Sequence, residues 1–113
     1  MMKLKVHIVD DHTLFREGLR FLLKDSEHIS EIREAGNGLE FLADLDDFKP
    51  DVVLMDIDMP GLNGIEATRE ALKRYPGLKV IALSMYSDET FYSEMIENGA
   101  KGFLIKNSRF KDV

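Results

Sequence analysis

The sequence predicts an α/β fold built on one open, doubly wound parallel β-sheet. Short apolar runs of strand length alternate along the chain with stretches in which apolar residues recur at helical spacing. The runs in the middle of the chain are continuously apolar, which is typical of strands that are buried on both faces. Strands that alternate with helices pair in parallel through right-handed crossovers, so we expect helices on both faces of the sheet.

Five apolar runs are the strand candidates. The second is the weakest of them, because it is short and ends at the turn formed by Gly36-Asn37-Gly38. In chain order the predicted strands are Leu4–Val9, Ile32–Ala35, Asp51–Met55, Lys79–Leu83 and Phe103–Ile105.

Four stretches of helical spacing lie between these runs. The first two helices are predicted over Thr13–Lys24 and Leu39–Phe48, and the third and fourth end at Pro76-Gly77 and Asn98-Gly99. Residues 58–64, which precede the third helix, are rich in glycine and proline and predict a loop.

A complete fifth helix is not predicted. Only Lys106–Val113 follow the last strand, whereas a covering helix normally needs about ten residues or more. We therefore expect the fifth helix to be truncated or missing, which leaves one flank of the sheet bare. A bare apolar face of this kind either pairs with a second copy of the chain, giving a homodimer, or is covered in a longer chain.

Length and composition narrow the function classes. The 113 residues suit one domain, 1–113, and the net charge of −6 comes without a basic stripe, so we expect the chain not to hold DNA by itself. The chain has no cysteine for a disulfide or a thiolate metal site, and no apolar run approaches the roughly 18 residues of a membrane span. These features predict a cytoplasmic protein without membrane contact.

Polar residues that can carry chemistry directly follow four of the predicted strands. The first strand is followed by Asp10-Asp11, the third by Asp56, the fourth by Ser84 and the fifth by Lys106. Parallel strands end at the same edge of the sheet, where ligands of open α/β sheets bind. Neighbouring carboxylates repel one another, and Mg²⁺, which prefers oxygen ligands, relieves that repulsion. A carboxylate beside a metal, a hydroxyl and an ammonium group can accept a phosphoryl group covalently.

Two histidines lie near these carboxylates in the sequence. His12 directly follows the two aspartates and could be a ligand of a transition metal, because imidazole suits such ions. The favoured interpretation is a loop histidine near the start of the first helix. His7 is expected inside the first strand without a chemical role.

Four segments resemble the receiver domains of two-component response regulators. They are residues 9–12 (VDDH), 54–64 (LMDIDMPGLNG), 82–84 (ALS) and 102–106 (GFLIK). The resemblance spans nearly the whole chain, and its motif positions fall in order on the expected elements. It implies a flavodoxin-like fold with the strand order 2-1-3-4-5.

The resemblance also implies the roles of the acidic residues. Asp56 would be the phosphoacceptor. Asp10, Asp11 and Asp56 would hold Mg²⁺ together with the backbone carbonyl of Asp58.

Three further roles follow from the same resemblance. Ser84 would bind a phosphoryl oxygen and act in the switch with Phe103, and Lys106 would neutralise the phosphate. Asn107 departs from the proline that many relatives have after this lysine, and Phe103 lacks the hydroxyl of a tyrosine. The first departure leaves the geometry of the Lys106–Asn107 bond open.

Residues 10–20 (DDHTLFREGLR) resemble the LuxR/NarL/FixJ-type transcriptional subfamily, whose output domain is a C-terminal helix-turn-helix. This resemblance implies a sensor histidine kinase as phosphodonor, and DNA contact only through an output domain that is absent from these residues. It implies no enzyme activity beyond self-phosphorylation and autodephosphorylation.

Three other function classes share part of the pattern. Asp56-Ile57-Asp58 resembles the start of haloacid-dehalogenase-type phosphatases, but the chain is short for that fold, and Asp10-Asp11 precede the nucleophile where those enzymes place metal acids after it. A phosphorylation-independent pseudo-receiver is disfavoured by the complete acid set. A flavin- or nucleotide-binding domain would need a glycine-rich loop after the first strand.

Overall fold

The computed structural model describes residues 3–57, 63–84 and 89–105, which form one five-stranded parallel sheet with helices on both faces. The strands are β1 (Leu4–Val9), β2 (Ile29–Ala35), β3 (Val52–Asp56), β4 (Lys79–Ser84) and β5 (Gly102–Ile105). The helices in these ranges are α1 (Thr13–Leu23), α2 (Gly38–Phe48), α3 (Gly64–Arg74) and α4 (Glu89–Glu97). The strand order is β2-β1-β3-β4-β5, so the predicted fold class and strand order are confirmed.

The start of β2 was predicted wrongly. The strand begins at Ile29, which pairs with Leu4, and a register shift then brings Lys5 opposite Glu31. β2 lies at the edge of the sheet and most of its residues are only partly buried, so its first half lacks the apolar run that marks the inner strands. The other predicted ends agree within one or two residues, as is usual for element boundaries.

The larger core lies on the face of the sheet that α2, α3 and α4 cover. Inward-pointing residues of the central strands, such as Val53 and Met55, meet Phe41 from α2 and Ala67 from α3 there. Because alternate residues of a strand point to opposite faces, Leu54 contributes to the other side of the sheet. The central strands are therefore buried on both faces, as their continuous apolar runs predict.

The smaller core lies beneath α1. Leu19 of α1 packs there with Ile8 and Leu83. Two arginines of the helix, Arg16 and Arg20, each donate to Glu34 of β2 at 2.9 Å and so tie α1 to the edge of the sheet.

The outer side of α1 exposes apolar side chains. Leu14 is 83% exposed and Phe21 is 65% exposed. The expectation of a truncated or missing fifth helix concerns residues 106–113, which lie outside the described ranges, and it stays a prediction. Within those ranges, none of the helices is long and apolar enough to cross a lipid bilayer.

Candidate functional site

Three of the predicted site residues lie at one edge of the sheet because their strands are neighbours. Asp10 directly follows β1, Asp56 is the last residue of β3, and Ser84 is the last residue of β4. The register places Val9 beside Met55 and Asp56 beside Leu83, so the three strand ends are level with one another. All three residues are buried. The convergence predicted from the sequence is thus observed for the residues that the structure describes.

The acidic residues form a tight cluster at this edge. One ligand atom each from Asp10, Asp11, His12 and Asp56 lies within 4.8 Å of the others. The side chains of Asp10 and Asp56 are withdrawn from water, whereas that of Asp11 is 30% exposed. Carboxylates packed this closely form the oxygen-rich, negatively charged site that hard dications occupy. The residues present therefore fit Mg²⁺.

His12 lies inside this cluster rather than beside it. Its Nδ1 is 3.1 Å from Asp10 Oδ1, 3.5 Å from Asp11 Oδ1 and 3.9 Å from Asp56 Oδ2. The favoured sequence interpretation, a loop histidine near the first helix, describes its position at the N-cap of α1 correctly but misses these contacts. The sequence feature that could have predicted these contacts is that His12 is the third of three consecutive potential metal ligands after β1.

Hydrogen bonds to Asp10 hold this corner of the site in shape. The backbone N–H of His12 donates to Asp10 Oδ1 at 2.7 Å. The guanidinium of Arg16 donates to the backbone carbonyl of Asp10 and also binds Glu34 of β2. The loop after β1 is therefore braced by the first helix and by the edge strand.

The first turn of α3 lies directly against the end of β3. A Cβ atom at Gly64 would be 2.1 Å from the carbonyl oxygen of Asp56, so only glycine fits this contact. Asn63 caps the helix by accepting a hydrogen bond from the Glu66 backbone N–H at 2.9 Å. Sequence reasoning assigned Gly64 to a loop and did not find its role beside Asp56. The asparagine followed three residues later by a glutamate was the available signal.

The structure does not describe the side chains of three predicted site residues, Asp58, Phe103 and Lys106. Asp58 and Lys106 lie outside the described residues, as does Asn107, whose bond to Lys106 the sequence leaves open. The backbone of Phe103 lies in β5, and its side chain is outside the described part. Their roles remain predictions.

Comparison with known protein families gives one match across nearly the whole chain. Residues 6–113 match the family described as the response regulator receiver domain.

Curated relatives with similar sequences are bacterial regulators. The chain is 39% identical over 104 residues to the transcriptional regulatory protein DegU of Brevibacillus brevis, an alignment that covers 92% of this chain and 44% of DegU. It is 39% identical over 110 residues to the response regulator GacA of Pseudomonas syringae pv. syringae, which covers 97% of this chain and 51% of GacA. The chain thus spans about half the length of these relatives.

Solved structures of similar chains have the same fold. A LuxR-family two-component response regulator from Aurantimonas superposes with a TM-score of 0.90 at 30% identity, covering 97% of this chain and 79% of that one. The signal receiver domain of the putative response regulator NarL from Mycobacterium tuberculosis superposes with a TM-score of 0.88 at 32% identity, covering 98% and 90%.

Proposed function

Because this chain belongs to the response regulator receiver domain family, we propose that Asp56 accepts a phosphoryl group from a sensor histidine kinase. The observation that carries the proposal is the convergence of Asp10, Asp11 and Asp56 at one edge of the sheet, with ligand atoms within 4.8 Å of one another. We further propose that the chain regulates transcription, because its relatives include the transcriptional regulatory protein DegU and the response regulator GacA.

The proposed reaction is a nucleophilic displacement at phosphorus. A carboxylate oxygen of Asp56 forms a bond to phosphorus as the bond to the donor's histidine nitrogen breaks, and that nitrogen keeps the electron pair. Asp10, Asp11 and Asp56, with the backbone carbonyl of Asp58, would hold Mg²⁺, which neutralises charge on the phosphoryl oxygens and carboxylates when bound. Water then attacks the phosphorus, the bond to the Asp56 oxygen breaks, and inorganic phosphate and the free carboxylate are released. The only turnover is therefore self-phosphorylation and autodephosphorylation.

Residues in β4, in β5 and directly after β5 are proposed to convert phosphorylation into a change of shape. Ser84, buried at the end of β4, would donate a hydrogen bond from its hydroxyl to a phosphoryl oxygen. Lys106 would neutralise the phosphate, and Phe103 would turn with Ser84 as the switch. Positioning and charge neutralisation supply most of the catalysis in transfers of this kind.

The proposed partners follow from the relatives rather than from this chain alone. The phosphodonor is a sensor histidine kinase, and DNA is reached only through an output domain that the 113 residues do not contain. The proposed location is the cytoplasm, where a transcriptional regulator meets DNA. A second copy of the chain is the proposed partner of the exposed side of α1.

Intact mass after incubation with acetyl phosphate and Mg²⁺ tests the proposal. The chain should gain one phosphoryl group, and Asp56→Asn should gain none. Asp25→Asn, which changes an exposed carboxylate far from the site in sequence, is the matched control and should label like the unmodified chain. Equal labelling of Asp56→Asn would overturn the assignment of the acceptor.

A further inference from the structure

The ring of His12 reaches the same point as the three carboxylates of the site. Its Nδ1 lies within 4 Å of an oxygen from each of Asp10, Asp11 and Asp56. We infer that His12 is a metal ligand, which makes this a site of one imidazole nitrogen and three carboxylate oxygens for a first-row transition-metal dication. The inference rests on the proposed function only because both use the carboxylates of Asp10, Asp11 and Asp56; it does not require phosphorylation of Asp56.

The chemistry of the donor set favours a transition metal over Mg²⁺ for the histidine-containing form. Mg²⁺ binds oxygen ligands and keeps several waters, whereas imidazole suits Fe²⁺, Ni²⁺, Cu²⁺ and Zn²⁺. Metal–ligand bonds of about 2.0–2.2 Å place opposite ligand atoms about 4 Å apart. The four atoms of this cluster already lie within 4.8 Å, so a small adjustment brings them onto one ion.

Two of the ligands, Asp10 and Asp56, are held in place by the fold, whereas the side chains of Asp11 and His12 are partly exposed. Asp10 and Asp56 are buried at the ends of adjacent strands, and the backbone of His12 is fixed by its hydrogen bond to Asp10 Oδ1 at 2.7 Å. The His12 side chain is 54% exposed, so its ring can turn toward an ion or away from it. The three carboxylates can therefore serve Mg²⁺ with the ring turned out, or a transition metal with the ring turned in.

His12 thus acts as a specificity-determining residue for the metal. It adds affinity for ions that accept nitrogen and none for Mg²⁺. Removal of the imidazole is expected to lower the ratio of Ni²⁺ affinity to Mg²⁺ affinity at least about tenfold. Loss of a residue that only orients a metal ligand already lowers metal affinity by about that factor, and loss of a ligand should lower it at least as much.

Calorimetric titration of the untagged chain with Ni²⁺ and, separately, with Mg²⁺ tests the inference. The variants are His12→Ala and the control His28→Ala, which removes an exposed histidine between α1 and β2. The Ni²⁺/Mg²⁺ affinity ratio should fall in the first variant and stay at the unmodified value in the second. An equal ratio in His12→Ala and the unmodified chain would overturn the inference.

A second measurement needs no variant and so is independent of any effect on folding. Addition of Zn²⁺ to the unmodified chain should shift the imidazole NMR resonances of His12 and leave those of His28 in place. Unshifted His12 resonances, or no binding of Ni²⁺ to the unmodified chain, would refute the inference. The separate titration with Mg²⁺ tests whether the carboxylates bind Mg²⁺, as the proposed function requires, independently of any role of His12.

Discussion

His7 is buried in β1 among aromatic side chains. Its ring meets Phe41 and Phe48 edge to face, with centroid separations of 5.2 and 5.7 Å, and its Nε2 lies 3.1 Å from Asp44 Oδ2. Burial lowers the pKa of His7 below its ordinary value, and the interaction with Asp44 opposes this effect only in part. At neutral pH the contact with Asp44 is therefore a hydrogen bond of a neutral imidazole rather than an ion pair.

This lowered pKa predicts a loss of stability in mild acid. The unfolded chain takes up a proton on His7 more readily than the folded chain. The contribution of His7 to the free energy of unfolding is therefore complete above its unfolded pKa of about 6.5 and is lost as the pH falls below that value. His7→Gln, which keeps a neutral donor near Asp44, should flatten the fall in unfolding free energy between about pH 7 and pH 5. Urea unfolding over a pH series measures it.

The exposed His28 provides the control for this experiment. His28→Ala should keep the pH dependence of the unmodified chain, because it removes an exposed histidine and leaves His7 and its buried surroundings intact. The same slope in His7→Gln and the unmodified chain would show that another group titrates in this range.

At the scale of single residues, the sequence predicts which carboxylates form the site but not how their neighbours point. Asp10 and Asp56 stand directly after apolar runs, so their place at the sheet edge follows from the ends of the strands. The contacts of His12 depend on the backbone angles at the N-cap of α1, φ −86° and ψ 95°, which no residue pattern specifies. That is why the sequence favoured a histidine without a role.

The start of α3 couples a helix to β3, the strand that ends at Asp56. Gly64→Ala would place a methyl group 2.1 Å from the carbonyl oxygen of Asp56. Because both atoms are fixed to the backbone, the helix or the end of the strand must move. We expect a loss of about 1–3 kcal/mol in unfolding free energy, the usual cost of overpacking. Displacement of Asp56 should also weaken Mg²⁺ binding. Urea unfolding and calorimetry measure the two effects.

Gly77, in the turn after α3, is the matched control. A Cβ atom there would meet nothing within 4 Å. Gly77→Ala should therefore keep the stability or raise it slightly by restricting the unfolded chain. If the two alanine variants were equally stable, the close contact at Gly64 would carry no structural weight.

At the scale of elements, the inner strands and the helices could be predicted because burial on both faces and helical spacing both leave clear patterns. β2 could not be placed fully, because an edge strand with a register shift near Leu4 has no continuous apolar run. The start of α3 was missed by one residue, because a glycine that fits against a neighbouring strand looks the same in sequence as a loop glycine.

Mg²⁺ should stabilise the whole molecule, because it offsets the repulsion among Asp10, Asp11 and Asp56. A ligand that binds only the folded state adds ~2.7 kcal/mol at a hundredfold excess over its dissociation constant. Thermal unfolding with millimolar Mg²⁺ and with EDTA measures this. Asp11→Asn should weaken Mg²⁺ binding and raise the stability of the metal-free chain, whereas Asp25→Asn should change neither. A melting temperature that ignores Mg²⁺ would contradict the site.

The exposed side of α1 predicts self-association. Leu14 and Phe21 are seven residues apart, so they expose large apolar side chains on the same side of the helix, and contiguous apolar surface is where proteins associate. Phe21→Glu should shift the chain toward monomer in sedimentation equilibrium, because it places a charge in the contact. Leu39→Glu, which changes a similarly exposed leucine on α2, should leave the association unchanged. A monomer at all concentrations would refute the prediction.

At the scale of the whole molecule, alternation of strands and helices predicts a parallel sheet but not the order of its strands. That order could be stated beforehand only through the family resemblance, because several right-handed windings share one alternating pattern. The structure shows β1 between β2 and β3, which is what makes Asp10 a neighbour of Asp56.

The alignment of the ends of β1, β3 and β4 also determines when, during synthesis and folding, the carboxylate cluster can form. During synthesis Asp10 and Asp11 leave the ribosome long before Asp56, and Ser84 emerges later still. Pairings between distant parts of a chain form late, because the intervening loop must close first. A nascent chain in which β3 has not yet paired with β1 therefore lacks the cluster of Asp10, Asp11 and Asp56. Under the proposed function, only copies in which β3 has already paired with β1 would accept a phosphoryl group.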